Sequence, residues 1–146
     1  MGVRKDPRVD ESAVSLVGLG VSAEELHLLR SARPNVLLVG PPSSVKRLLD
    51  AIIPFCRPPI VESQGTRLTL PPPPIGTLVL QGADQLSAAN QHRLHHWLLD
   101  ADSSLQVIST ASSPIFPLVQ RKLFRDALYY RLNVMCLNVG PERTRR

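Results

Sequence analysis

Apolar residues in this chain alternate between two habits: short unbroken runs, and longer segments in which they recur every three or four positions. The unbroken run at 36–39 and the largely apolar, β-branched segments at 77–80, 105–110 and 133–139, with a shorter one near 60–62, read as strands with no solvent-facing side. Between them, residues 22–32 open on Ser22 with Glu25 three positions on, a capping box, and carry Leu26, Leu29 and Ala32 on one helix face. Residues 44–53 suit a helix that stops at Pro54. Residues 83–102 carry an apolar stripe of Leu86, Ala89, Leu94, Trp97 and Leu98, and residues 118–132 form a further helix with Leu128 and Leu132 inward. Strands buried on both faces, alternating with helices, predict an α/β sandwich around a mostly parallel sheet. Such a sheet binds ligands beyond the carboxyl ends of its strands. Here those ends are Gly40, Gln81 with Gly82, Ala111 with Ser112, and the turn around Gly140.

Composition narrows the picture. At 146 residues and 43% hydrophobic, the chain suits one domain with a proper core. Residues 1–15 read as a flexible N-terminal segment and 142–146 as a basic tail. The 17 Lys+Arg against 12 Asp+Glu leave a net charge of +5, but no helix is rich in Lys and Arg, so no direct DNA binding by this segment is expected. No run approaches the length of a membrane span, and the chain reads as cytoplasmic with no membrane partner. Cys56 and Cys136 lie far apart and read as buried free thiols of a reducing compartment. The prolines at 57–59 and 70–76 read as stiff connectors. His92, His95 and His96 lack a carboxylate or cysteine to complete a metal site, so no metal is expected.

The stretch 36–49, VLLVGPPSSVKRLL, has the layout of a phosphate-binding loop: a strand, a glycine, a lysine six residues later and a helix. The stretch 123–139 is more specific. LFRDALYYRLNVMCLNV closely resembles the phrase FREDLYYRLNV of the sigma-54-dependent transcription activators, a bacterial branch of the AAA+ ATPases, and within it only Asp126 and Ala127 depart. The phosphate-loop segment, GTLVLQGADQL at 76–86 and LQVISTAS at 105–112 fall in the family's order. The resemblance runs from about residue 16 to 143, and it implies a three-layer P-loop NTPase-like AAA+ core at 16–141 with five strands ordered 5-1-4-3-2.

It also assigns roles, position by position. Gly40, Ser43, Ser44, Lys46 and Arg47 fall in the nucleotide-binding loop, Ser112 at the sensor position, and Arg125 and Arg131 at the arginine-finger positions. The loop departs from its pattern: Val45 replaces the second glycine, Ser43 another, and Pro41 and Pro42 remove two amide donors. The aspartate that would hold magnesium is matched by Gln81 and the water-activating glutamate by Gly82, with Asp84 two residues beyond. Hydrolysis and catalytic residues are therefore not expected, nor is a cofactor, and residual ATP binding is the alternative. The loop that grips sigma-54 in the family has no counterpart in 61–76, which puts that contact in doubt, and the chain stops where the family continues into a helical lid. A truncated, degenerate core acting by protein contact in transcription regulation follows, through self-association or an intact AAA+ activator.

Overall fold

The computed structural model describes residues 20–72, 74–101 and 104–140. The expectations for residues 1–15 and 142–146 lie outside them. In chain order the elements are α1 (Ala23–Ser31), β1 (Val36–Val39), α2 (Pro42–Ile52), β2 (Ile60–Gln64), β3 (Thr77–Gln81), α3 (Ala88–Leu99), β4 (Gln106–Ala111), α4 (Phe116–Gln120), α5 (Asp126–Leu132) and β5 (Met135–Asn138), with 3-10 turns at Ile53–Phe55 and Ala83–Gln85.

All five strands pair in parallel in the order β2-β3-β4-β1-β5. This is the expected order, and β1 lies beside β4 with Val36 opposite Ile108. Side chains alternate across the sheet, so two cores form. Val36, Leu38, Val79, Ile108 and Leu137 pack with Leu26, Leu29, Leu48 and Ile52 of α1 and α2. Leu37, Val39, Leu78, Leu80 and Val107 pack on the other face with Leu94 and Leu98 of α3 and Leu128 and Leu132 of α5. Helices on both faces explain why the central strands carry no polar side.

Several element boundaries differ from the sequence expectation. The capping box of α1 forms, with the Glu25 amide donating to Ser22 Oγ at 3.0 Å and the Ser22 amide to Glu25 Oε1 at 2.9 Å. Ala32, however, is the exposed C-cap rather than a face residue. Helix α2 begins two residues early, because proline at the first helical position has its φ preset and no amide to waste. It also runs into a 3-10 turn containing Pro54 instead of stopping before it.

The expected helix at 83–102 is two pieces. Gly82 adopts φ 77°, a 3-10 turn follows, and Ser87 caps a fresh start by accepting from the Asn90 amide at 3.1 Å. Ala89 is consequently exposed. The expected helix at 118–132 also breaks, through a Schellman ending: Lys122 takes φ 63°, its amide donates to the Val119 carbonyl at 3.1 Å, and the Leu123 amide to Leu118 at 2.8 Å. Cys56 is buried as expected, whereas Cys136 is exposed on the edge strand β5.

Candidate functional site

A cleft of ≈ 340 Å³ opens at the carboxyl ends of β1, β3 and β4, walled by α2 on one side and the end of β2 on the other. Its back edge is Gly40, which leaves β1 with φ 156° and passes so close to β5 that an added Cβ would fall on the Val139 carbonyl. The Gly40 amide donates to the Ala111 carbonyl at 3.1 Å, fastening this turn to the end of β4.

Beyond Gly40 the chain does not loop. Pro41 is the N-cap, Pro42 starts α2, and Ser43, Ser44, Val45 and Lys46 are all helical. The Val45 amide is spent on the Pro41 carbonyl at 2.9 Å. Ser44 is 2% exposed with Oγ lacking a partner, and Val45, 5% exposed, belongs to the core under α2. A glycine at 45 would leave a hole in that core, which accounts for the valine in local packing terms. Lys46 and Asp50 form an i,i+4 pair at 3.3 Å with both side chains largely exposed, an arrangement that contributes little to stability. Ser43 and Arg47 are exposed on the same helix.

On the opposite wall, Gln81 Nε2 donates to Glu62 Oε1 of β2 at 3.0 Å. Gly82 turns left-handed, its amide donating to Thr110 Oγ1 at 3.1 Å. The turn after β2 rests on this strand end, with the Gly65 amide donating to the Gln81 carbonyl at 2.7 Å. Asp84 folds back from the 3-10 turn so that its Oδ2 accepts from Ser112 Oγ at 3.1 Å, while Oδ1 is buried without a partner. The cleft thus gathers Gly40, Lys46 and Ser112 of the expected positions, together with three carboxylates, Asp50, Glu62 and Asp84. Three negative charges against Lys46 make its field favour cations. Among the described residues no cluster of His, Cys, Asp or Glu is close enough to hold a metal.

Arg125 and Arg131 are not part of this cleft. Arg131 Nη2 donates to the Leu98 carbonyl at 3.2 Å, placing a cation at the negative end of α3. Arg125 is the N-cap of α5, and its amide donates to Gln91 Oε1 at 2.9 Å. His95 lies near both arginines; burial lowers its pKa, and Arg125, Arg131, His96 and His92 lower it further. His92 and His96, one turn apart, have ring centroids 4.3 Å from each other.

Sequence reasoning missed three contributors. Glu62 sits on the shortest predicted strand and is recognisable only once β2 is placed beside β3. Thr110 reads as an ordinary β-branched strand residue. Gln91, 2% exposed, satisfies three backbone groups at once, the Arg125 amide and the Leu86 and Leu123 carbonyls. A polar residue inside an amphipathic helix carries no signal of that role.

Residues 72–141 match the model of the sigma-54 interaction domain family. Among curated proteins, the HTH-type transcriptional regulatory protein TyrR of Enterobacter agglomerans is 33% identical over 81 residues, 48% of this chain and 16% of that protein. The pathogenicity locus probable regulatory protein HrpR of Pseudomonas syringae pv. syringae is 50% identical over 42 residues, 29% of this chain and 13% of its own length. The chain therefore spans only a small part of these relatives. Among solved structures, NtrX from Brucella abortus in complex with ATP superposes with a TM-score of 0.63 at 14% identity, over 95% of this chain and 36% of that one. At that identity the likeness speaks to the fold. The likeness to the sigma-54 interaction domain family thus covers residues 72–141, and the parallel 2-3-4-1-5 sheet with helices on both faces is an α/β core of the P-loop NTPase-like fold.

Proposed function

We propose that this chain acts in transcription regulation by protein contact, in the cytoplasm of a bacterium, without hydrolysing ATP. The observation that supports this most directly is the winding of residues 42–46 into α2, with Ser44 and Val45 buried beneath it. A phosphate cradle needs several amides converging on one point; here two of the candidate residues are prolines and the Val45 amide is bonded within the helix. The residues present also do not fit magnesium with a nucleotide, because Gln81 is neutral and committed to Glu62, and Gly82 has no side chain to orient water. The partner is a second copy of the chain or an intact AAA+ relative, in which this chain would supply a dead site. Phe116, Leu123, Tyr130 and Val134 are exposed on and around α4 and α5, and surfaces of this kind tend to be covered by proteins.

Nucleotide binding in a regulatory role is the second reading, favoured by the ≈ 340 Å³ cleft at the expected strand ends with Lys46 on its wall. One experiment separates the two: ATP titration by calorimetry, with light scattering on the same samples with and without nucleotide, and magnesium-dependent turnover compared with Lys46→Ala. The contact reading expects no heat, no turnover above the variant, and a mass that nucleotide does not change. Micromolar binding with nucleotide-driven assembly would refute it in favour of the second reading.

A further inference from the structure

A second concavity, ≈ 210 Å³, lies at the opposite edge of the sheet, where Arg57, Ile75 and Leu105 precede β2, β3 and β4 and where α3 ends. Its walls are mostly apolar, formed by Trp97, Ile75 and Leu105, with Arg57 and Asp100 at the mouth. The indole is fixed in place, since Trp97 Nε1 donates to the Pro71 carbonyl at 3.0 Å. The Arg57 guanidinium is fixed as well, through Nη2 to the Ser104 hydroxyl and the Ser104 carbonyl. Asp100, the exposed C-cap of α3, supplies a carboxylate there. The mouth therefore has one positive side and one negative side around an apolar box.

Size decides the kind of occupant. Small-molecule sites run to roughly 300–1,000 Å³, so this concavity suits one large side chain, as at the centre of a protein interface. We propose that it receives a single large apolar side chain of a protein partner, flanked in that partner by an acidic residue facing Arg57 and a basic residue facing Asp100. Charge complementarity at the mouth sets the orientation, and burial of the apolar group supplies the affinity. This goes beyond the contact reading by naming a surface and a partner chemistry; it rests on that reading only in taking the partner to be a protein.

Trp97 is the only tryptophan in the chain, so its fluorescence reports on this site alone. The full chain is titrated with acetyl-Glu-Phe-Lys-amide, acetyl-Lys-Phe-Glu-amide and acetyl-Glu-Ala-Lys-amide. We expect a saturable change with the phenylalanine peptides, one orientation tighter than the other, and about 10- to 100-fold weaker binding of the alanine peptide. Ala101→Leu, which fills the pocket, should abolish the change in protein that still melts cooperatively, and Arg57→Gln should erase the orientation preference. Superimposable curves for phenylalanine and alanine peptides, no change with any peptide, or undiminished binding to folded Ala101→Leu each overturn the proposal. ATP calorimetry on the same preparation tells its failure apart from failure of the contact reading.

Discussion

Replacing Gln81 by glutamate turns an amide donor into a carboxylate without changing the size of the side chain. In the native protein Gln81 Nε2 donates to Glu62 Oε1 at 3.0 Å. The variant loses that bond and sets two carboxylates against each other across adjacent strands. Two like charges about 4 Å apart repel by ~1 kcal/mol in bulk water and ~4 kcal/mol at an effective dielectric of 20. Glu62 is exposed, so the lower half of that range applies. A hydrogen bond to a charged group contributes roughly 1.5–3 kcal/mol, reduced at an exposed site by competing water. The variant should thus be destabilised by about 1–3 kcal/mol at neutral pH, roughly 2–4 °C of melting temperature per kcal/mol for a chain of this length.

The pH dependence gives the stricter check. The opposed pair holds a proton more readily when folded than when unfolded, so its folded-state titration is raised and the penalty shrinks as pH falls. Thermal unfolding of both proteins, followed by circular dichroism from neutral pH down into the carboxylate range, measures the gap. A variant as stable as the native chain at neutral pH, or a gap that widens on acidification, would refute the assignment of Gln81 as the partner of Glu62.

Gln91→Leu keeps the volume of a buried side chain but strands the Arg125 amide and the Leu86 and Leu123 carbonyls; a loss of about 2–4 kcal/mol is expected in urea unfolding, far more than for an exposed neighbour such as Arg93→Ala. For His95, the folded-state pKa is depressed below the usual 6.5 by burial first and then by Arg125 and Arg131. Its contribution to stability is therefore complete above that value and lost as pH falls through it toward the folded pKa. His95→Gln should flatten the acid side of the stability profile, and Arg125→Gln should raise the His95 titration seen by NMR.

What the sequence disclosed depended on how each residue acts. The strands were legible because a central parallel sheet favours apolar residues on both faces: 36–39 complies throughout, 77–80 but for Thr77, and 105–110 through Leu105, Val107 and Ile108. The helix breaks were not, because the Schellman ending places a lysine, Lys122, at the left-handed position where glycine is the usual mark. Ala32 and Ala89 misled because alanine is at home on either side of a helix. In the cleft, Gly40 and Ser112 could be placed at strand ends and Lys46 by the phosphate-loop layout, but Glu62 needed the β2–β3 register and Asp84 needed the left-handed turn at Gly82. The early start of α2 did have a written signal, Pro42 at the first helical position.

That early start also limits what a single substitution can do to this stretch. The stretch after Gly40 is helical, and its buried side chains hold up the core beneath α2. Placing glycine at position 45 would leave the first turn helical, since its neighbours keep their hydrogen bonds, and would remove a core side chain whose loss has its own cost. Opening a loop here by that substitution therefore costs stability before any ligand could offset it, and the fold accommodates uses of the cleft that leave the helix wound.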